Sequence, residues 1–209
     1  MEKRNYELEM ERMIACLSAE GRVPTLLLHS CCAPCSSSVL ERLSEFFRIT
    51  VFYYNPNLYP DEEYTHRAKE QRAFLKRFPA KHPISFLEGA FDKERFMEAV
   101  RGMEDLPEGG ERCSVCYRLR LEETAKQAKE GGFEFFTTTL SVSPKKDALR
   151  LNTIGEQLAD IYGVAYLTSD FKKKNGYLRS CELSKEYGMY RQDYCGCAFS
   201  YRERHPSEE

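Results

Sequence analysis

Residues 25–36 read Thr25-Leu26-Leu27-Leu28-His29-Ser30-Cys31-Cys32-Ala33-Pro34-Cys35-Ser36. The apolar run at 25–28 has strand character and becomes polar at 29–30, and three cysteines then fall within five positions. From Ser36 onward, apolar residues recur with a helical period as far as Phe47. The pattern predicts a strand, a tight turn and a helix. Backbone N–H groups and the positive end of a helix favour thiolate over thiol, so we expect this turn to carry thiol chemistry.

The composition of the chain limits its function. The 209 residues include 31 Lys and Arg against 33 Asp and Glu, which gives a net charge of −2. A protein with this balance must bind nucleic acid, if at all, through a local basic patch. The chain starts with three charged residues after Met1 and contains no apolar run of about eighteen residues. We therefore expect no membrane span, no secretory signal and a cytoplasmic location.

Seven of the nine cysteines fall into three groups along the chain. The groups are Cys31, Cys32 and Cys35; Cys113 and Cys116; and Cys195 and Cys197. Thiols in the cytoplasm stay reduced, so a dense set indicates metal binding or redox chemistry rather than structural disulfides. Cys16 and Cys181 lie outside the groups, and we expect them to serve only in packing.

Strand patterns alternate with helical patterns along the whole chain. After the first strand, strands are predicted at 49–54, 84–87, 133–140 and 164–167, and the helix after the fourth strand is expected to begin at Ser143-Pro144. This alternation predicts an α/β fold with a mostly parallel five-stranded sheet flanked by helices. The predicted division is an N-terminal amphipathic helix at 1–20, a single α/β metal-binding catalytic domain at 21–201 and a solvated tail at 202–209.

Functional residue types follow four of the predicted strands. The cysteines follow the first strand, Asn55 and Asn57 the second, the segment 141–143 the fourth, and a lysine run at 172–174 the fifth. In parallel sheets, ligands bind beyond the carboxyl ends of the strands. We therefore expect these loops to meet on one edge of the sheet and to form the site.

The cysteine spacing is compatible with three kinds of centre. A zinc-binding nucleic-acid module would use the two C-x-x-C pairs Cys32/Cys35 and Cys113/Cys116. A cytosolic dithiol oxidoreductase would use Cys32 and Cys35 alone, at the start of the helix. An iron–sulfur protein would use four thiolates per cluster and leave others for a second centre. The residues alone leave these alternatives open, although the first two do not account for all seven grouped thiols.

Four motifs in the same order resemble the QueH family of epoxyqueuosine reductases, over residues 23–201. The motifs are residues 29–35, residues 52–57 with Tyr64, residues 112–117 and residues 192–197. The resemblance implies reduction of the epoxide of epoxyqueuosine at the wobble position of tRNA, which yields queuosine. It also implies a [4Fe-4S] cluster with an adjacent mononuclear iron, no cobalamin, and a Rossmann-like sheet related to the PP-loop (HUP) enzymes.

With that resemblance, the thiols are divided between two centres. The expected cluster ligands are four thiols from two loops, Cys31, Cys32, Cys113 and Cys116. Cys195 and Cys197 then bind the second iron together with Cys35, or they cycle as a redox-active dithiol. Asp193 and Tyr194 stand beside the last pair and are the candidate proton donors.

The remaining candidates concern the substrate and the electron source. The predicted substrate-binding residues are Asn55, Asn57, Tyr64, Arg112, Lys172, Lys173 and Lys174. Lys145, Lys146, Arg150, Arg118 and Arg120 are further basic candidates for tRNA contact. The reaction also requires a one-electron donor such as ferredoxin or flavodoxin.

Overall fold

Five parallel strands form the centre of the fold in a computed structural model that describes residues 4–206. The strands are β1 Thr25–His29, β2 Arg48–Tyr53, β3 Ser85–Glu88, β4 Phe135–Thr138 and β5 Ala165–Tyr166. Their order in the sheet is β3-β2-β1-β4-β5, and every pair is parallel. Strand β1 is central, and the order reverses between β1 and β4. The predicted α/β, Rossmann-like architecture is confirmed.

Helices cover both faces of this sheet. Those of the described residues are α1 Tyr6–Ala19, α2 Ala33–Leu43, α3 Asp61–Arg77, α4 Lys93–Ala99, α5 Glu111–Glu130, α6 Ala148–Tyr162, α7 Gly176–Glu186 and α8 Ala198–Arg204. Side chains of β1 alternate between the faces. Leu26 and Leu28 pack in a core with Val39 of α2, whereas Leu27 packs on the other face with Leu121 of α5.

Two helices begin at positions other than those predicted, and both differences shape the site. Helix α2 begins at Ala33 instead of Ser36 and has Pro34 in its first turn, where the missing N–H of proline would have no helical partner. Cys35 therefore belongs to the helix. Helix α6 begins at Ala148 instead of Ser143, because Asp147 caps it by accepting a hydrogen bond from the Arg150 amide. Residues 143–147 thus remain a loop on the carboxyl edge.

Two further predictions about local structure are wrong. Cys113 and Cys116 do not lie in a loop, because α5 already begins at Glu111. The fourth strand is shorter than predicted, since the Thr138 hydroxyl accepts a hydrogen bond from the Leu140 amide. That bond starts a 3₁₀ helix directly after β4, at Thr139–Val142.

The ends of the chain pack partly against the domain. Helix α1 lies within the segment predicted as the N-terminal helix, and Glu7 pairs with Arg42 at 2.5 Å. Helix α8 extends into the segment predicted as the tail from 202 onward and ends at Arg204. The predicted segments at 1–3 and 207–209 lie outside the described residues. Among those described, the helices are all too short or too polar to cross a bilayer.

Candidate metal centre and substrate cavity

Three thiols meet at the carboxyl end of the central strand. The Sγ atoms of Cys31, Cys32 and Cys35 all lie within 4.8 Å of one another. The first two follow β1, and Cys35 is in the first turn of α2, so the strand-to-helix turn itself gathers the group. All nine cysteines of the chain are free thiols. Three thiols at this spacing can hold a metal ion.

Buried polar bonds fix this turn in place. The Ser30 amide donates to the Phe52 carbonyl at 2.9 Å, and the Ser30 hydroxyl donates to Gln71 Oε1 at 2.9 Å. Asn55 Nδ2 donates to the Ser30 carbonyl at 2.9 Å. His29 is fully buried and contacts Thr138 Oγ1 at 2.8 Å. These bonds connect the turn to β2, α3 and β4.

The three thiols differ in pKa. Hydrogen bonds from Cys32 and Cys35 lower the pKa of Cys31 well below the ordinary range of a thiol. The same contact with Cys31 raises the pKa of Cys32 to about 12, and it raises the pKa of Cys35 as well. One thiolate, that of Cys31, is therefore stabilised by two thiol donors, and this is the form in which sulfur binds a metal.

The other grouped cysteines come together on the neighbouring helix. Cys116 of α5 packs against the cluster that contains Cys197, just before α8. Burial, with added repulsion from Cys195 and Cys197, raises the pKa of Cys116 to about 11. Cys113 is also buried, and the Gly109 amide donates to its sulfur at 3.2 Å. The structure thus brings Cys116 close to the last pair, whereas Cys113 and Cys116 are not part of the group within 4.8 Å.

A glycine is required between the last two cysteines. Gly196 has a φ of +118°, and a Cβ there would lie 2.7 Å from Leu58 Cδ2 and 3.1 Å from Arg67 Nη1. Its carbonyl accepts a hydrogen bond from the Tyr59 amide at 2.8 Å. The backbone of this turn is therefore held directly against the loop that follows β2 and against a buried arginine of α3.

Arg120 of α5 is a buried cation that joins the thiol groups. It is 3% exposed, and its guanidinium donates to Asn55 Oδ1 at 2.6 Å and to His29 Nε2 at 3.3 Å. Burial alone would lower the pKa of Arg120, but nearby thiols, Cys116 first among them, outweigh this effect and raise it. Cys31 also raises the pKa of Arg120.

Two more buried cations stand beside thiols. Lys146 Nζ lies 2.8 Å from Cys195 Sγ and 3.2 Å from Glu108, and it is 9% exposed. Arg67 is 1% exposed and interacts electrostatically with Cys32. One of its guanidinium nitrogens, Nη2, has no hydrogen-bond partner. Buried cations require anionic partners. The residues present therefore fit an anionic metal–thiolate centre.

A cavity of about 310 Å³ opens beside the thiols, and Cys31, Cys35 and Cys195 line it. Charged side chains also line this cavity, four of them cationic and two acidic: Arg120, Lys145, Lys146, Arg191, Glu108 and Asp193. The cavity wall therefore carries more positive than negative charge, although the whole chain has a net charge of −2.

The four candidates near β2 and α5 are all buried, and three of them bond to other parts of the protein. Asn55 bridges Ser30 and Arg120, and Asn57 is buried with its Oδ1 unpartnered. The Tyr64 hydroxyl donates to the Gly89 carbonyl at 3.0 Å. Arg112 donates to the carbonyls of Glu104, at 2.7 Å, and of Met103 and Leu106. These four side chains are not among those lining the cavity.

The candidate proton donors and lysines lie in different places. Asp193 and Tyr194 line the cavity. Tyr194 donates its hydroxyl to the Tyr59 carbonyl at 2.5 Å, and burial raises its pKa to about 12. The lysine run lies outside the cavity lining. Lys172 pairs with Asp170 at 2.6 Å, Lys173 is exposed, and Lys174 pairs with Glu11 of α1.

Sequence reasoning did not identify Arg67 as part of the site and expected Lys146 and Arg120 only as tRNA contacts. Arg67 lies four residues after Glu63 on a highly charged helix and pairs with it at 2.6 Å, a pattern typical of a solvated surface. Gln192, inside the last motif, also reaches the first turn, with Nε2 at 3.6 Å from Cys32 Sγ. Only the tertiary fold reveals that these side chains lie beside sulfur.

The fold and the site define a class of protein: a Rossmann-like α/β protein with a thiol-rich edge that can hold a metal ion and an adjoining cationic cavity. A family model described as epoxyqueuosine reductase QueH matches residues 26–203. The epoxyqueuosine reductase QueH of Streptococcus pyogenes is 43% identical over 201 residues, which cover 95% of this chain and 79% of the relative. The chain belongs to the QueH family.

Two other relatives are also similar to most of this chain. The epoxyqueuosine reductase QueH of Staphylococcus epidermidis is 41% identical over 203 residues, 95% of this chain and 85% of the relative. That of Thermotoga maritima is 37% identical over 186 residues, 86% of this chain and 92% of the relative. The residues matched by the family model, 26–203, include all three cysteine groups, and the predicted family is confirmed.

Proposed function

We propose that this chain is an epoxyqueuosine reductase that converts epoxyqueuosine to queuosine at the wobble position of tRNA. The observation that carries the proposal is the meeting of two cysteine segments and two buried cations, Arg120 and Lys146, at one cavity in a chain of the QueH family. The reaction consumes two electrons and two protons. Both C–O bonds of the epoxide break, an alkene forms, and the oxygen leaves as water.

The proposed cofactors are a [4Fe-4S] cluster and an adjacent mononuclear iron. An iron–sulfur cluster supplies electrons one at a time, and thiolates are its usual ligands. In this proposal Cys31, Cys32, Cys113 and Cys116 hold the cluster, and Cys195, Cys197 and Cys35 hold the iron. The buried cations beside these sulfurs support an anionic centre at this edge, and the cytoplasm would keep the thiols reduced.

The residues of the cavity wall have separate roles in the proposal. Asp193 and Tyr194 deliver the protons, because both line the cavity beside Cys195. The ammonium of Lys146, next to the same sulfur, stabilises the negative charge that develops on the epoxide oxygen as the ring opens. Electrons come from a one-electron donor such as ferredoxin or flavodoxin.

Phosphate contacts are proposed for two sets of lysines. Lys145 lines the cavity, and Lys172, Lys173 and Lys174 follow β5 on the same edge of the sheet. Neutralising Lys172, Lys173 and Lys174 together should weaken tRNA binding and lower the slope of its salt dependence by up to about three, or about one for each contact. Binding measured over a salt series tests this expectation, and an unchanged slope would remove these lysines from the interface.

The function is tested on the nucleoside itself. Anaerobic, iron-replete protein is incubated with a one-electron donor and with tRNA that carries epoxyqueuosine. The tRNA is then digested, and its nucleosides are analysed by mass spectrometry. Loss of one oxygen from that nucleoside is the expected result. If it stays unreduced while a protein disulfide turns over quickly, the chain is instead a dithiol oxidoreductase.

A further inference from the structure

Tyr177 is an aromatic side chain in the wall of the cavity, and no role described above involves it. It is the second residue of α7, it is 41% exposed, and it shares the cavity with Cys31 and Cys195. An exposed aromatic ring beside half-buried thiols offers a flat surface in the wall of the cavity.

The backbone before Tyr177 is closely held. Gly176 approaches the Phe171 carbonyl so tightly that a Cβ would lie 1.9 Å from its oxygen. The Ser180 hydroxyl donates to the Tyr177 carbonyl at 2.7 Å. Both contacts involve the backbone, so they fix the point on α7 to which the Tyr177 ring is attached.

Arg191, which precedes the Cys195/Cys197 pair in the chain, contacts the Tyr177 ring. Its guanidinium lies over the Tyr177 ring, 5.7 Å from the ring centroid. Arg191 Nη1 donates to Ser184 Oγ at 3.0 Å and to the Ser180 carbonyl at 3.3 Å, so α7 anchors the guanidinium. Arg191 also lines the cavity. The pair therefore combines an aromatic surface with a positive charge that a nucleotide phosphate can approach.

The cavity is the right size for a single nucleoside. Its volume, about 310 Å³, is at the lower end of the range of roughly 300–1,000 Å³ that is typical of small-ligand sites. Enzymes that modify a base inside folded nucleic acid take it out of the stack and commonly hold it against aromatic side chains. Tyr177 is the exposed aromatic residue that this cavity offers to such a base.

We propose that Tyr177, supported by Arg191, is the stacking platform for the wobble base after it leaves the anticodon stack. This inference rests on the proposed function and adds a residue that determines substrate binding. With its base on Tyr177, the nucleoside can extend its epoxide along the cavity toward the thiols. Tyr177 is then a positioning residue, and it takes no part in electron or proton transfer.

The test uses the metal-loaded enzyme and tRNA that carries epoxyqueuosine, with three variants. Tyr177→Leu removes the aromatic face, Tyr177→Phe keeps it, and Leu178→Ala changes the next residue, which is 55% exposed and outside the cavity lining. Kd for this tRNA is measured over a salt series, together with iron content and turnover. We expect Tyr177→Leu to raise Kd between about 5-fold and 150-fold, the range for loss of one base–aromatic stack.

The controls separate stacking from other effects. Tyr177→Phe and Leu178→Ala should bind like the wild type, and Tyr177→Leu should keep its iron and the wild-type salt slope, because no charge is removed. A Kd for Tyr177→Leu equal to that of wild type, or an equal loss in Tyr177→Phe, would overturn the platform. Wild-type enzyme that binds this tRNA without reducing it would instead reject the proposed function, while the Kd of Tyr177→Leu would still decide the stacking proposal.

Discussion

Replacing Cys195 or Cys197 with Ser should abolish epoxide reduction while the visible spectrum of the cluster remains largely unchanged. A serine hydroxyl does not ionise near neutral pH, so it cannot replace a thiolate at the second centre. We expect turnover to fall by more than the roughly 100-fold that follows loss of an outer-shell partner of a metal ligand. Turnover, iron content and absorption are measured on the same anaerobic samples.

The chain supplies matched controls for this experiment. The predicted packing role of Cys16 is wrong, because this residue of α1 is exposed and its thiol donates to Glu20 at 3.4 Å. Cys181 lies on α7 outside the three cysteine groups. Cys16→Ser and Cys181→Ser should therefore have almost no effect. Collapse of the cluster spectrum in Cys195→Ser or Cys197→Ser would show that these thiols hold the cluster itself and that the proposed division of ligands is wrong.

Lys146→Met should be the most damaging change among the lysines. The side chain is nearly buried, and its ammonium lies 2.8 Å from Cys195 Sγ in the cavity wall. Methionine keeps much of the length but removes the charge that would stabilise a developing oxyanion. Removal of one such group typically costs about 10²- to 10³-fold in kcat. We expect a loss of this size, with little change in the affinity for tRNA.

We expect the loss of kcat to depend on where the removed charge lies, and an exposed lysine provides the control. Lys185→Met removes an exposed lysine from the last turn of α7 and should behave like the wild type. Steady-state kinetics that separate kcat from KM make the comparison. A rise in KM with kcat intact in Lys146→Met would assign this residue to tRNA binding, as the sequence first suggested, and would contradict the role in the chemistry.

Local pattern was enough to predict the sheet and the edge that carries the site. The run at 25–28 is apolar because β1 is central and covered on both faces, and such strands are recognisable from sequence. Alternation of strands and helices then fixes a parallel sheet, so cysteines and asparagines that follow strands must share one edge. These inferences need only neighbouring residues and the rule that parallel strands end together.

The parts that the sequence could not predict depend on tertiary contacts. Arg67 and Lys146 have the sequence surroundings of exposed residues, and they become site residues only because distant segments bury them beside Cys32 and Cys195. Arg112 shows the opposite case. It stands beside a cysteine within a motif, yet its guanidinium binds the carbonyls of the preceding loop. A motif fixes which residues are close in the chain, but it does not fix where each side chain points.

The central claim, that iron held on the thiol-bearing edge drives reduction of the epoxide, can be measured directly. Protein is prepared anaerobically with graded iron content, and a parallel sample is loaded with zinc. Iron per chain and the rate of oxygen loss from epoxyqueuosine in tRNA are determined for each sample. We expect the rate to rise with iron content and the zinc-loaded protein to be inactive. A full rate in iron-free, zinc-containing protein would contradict a role for iron in the reduction.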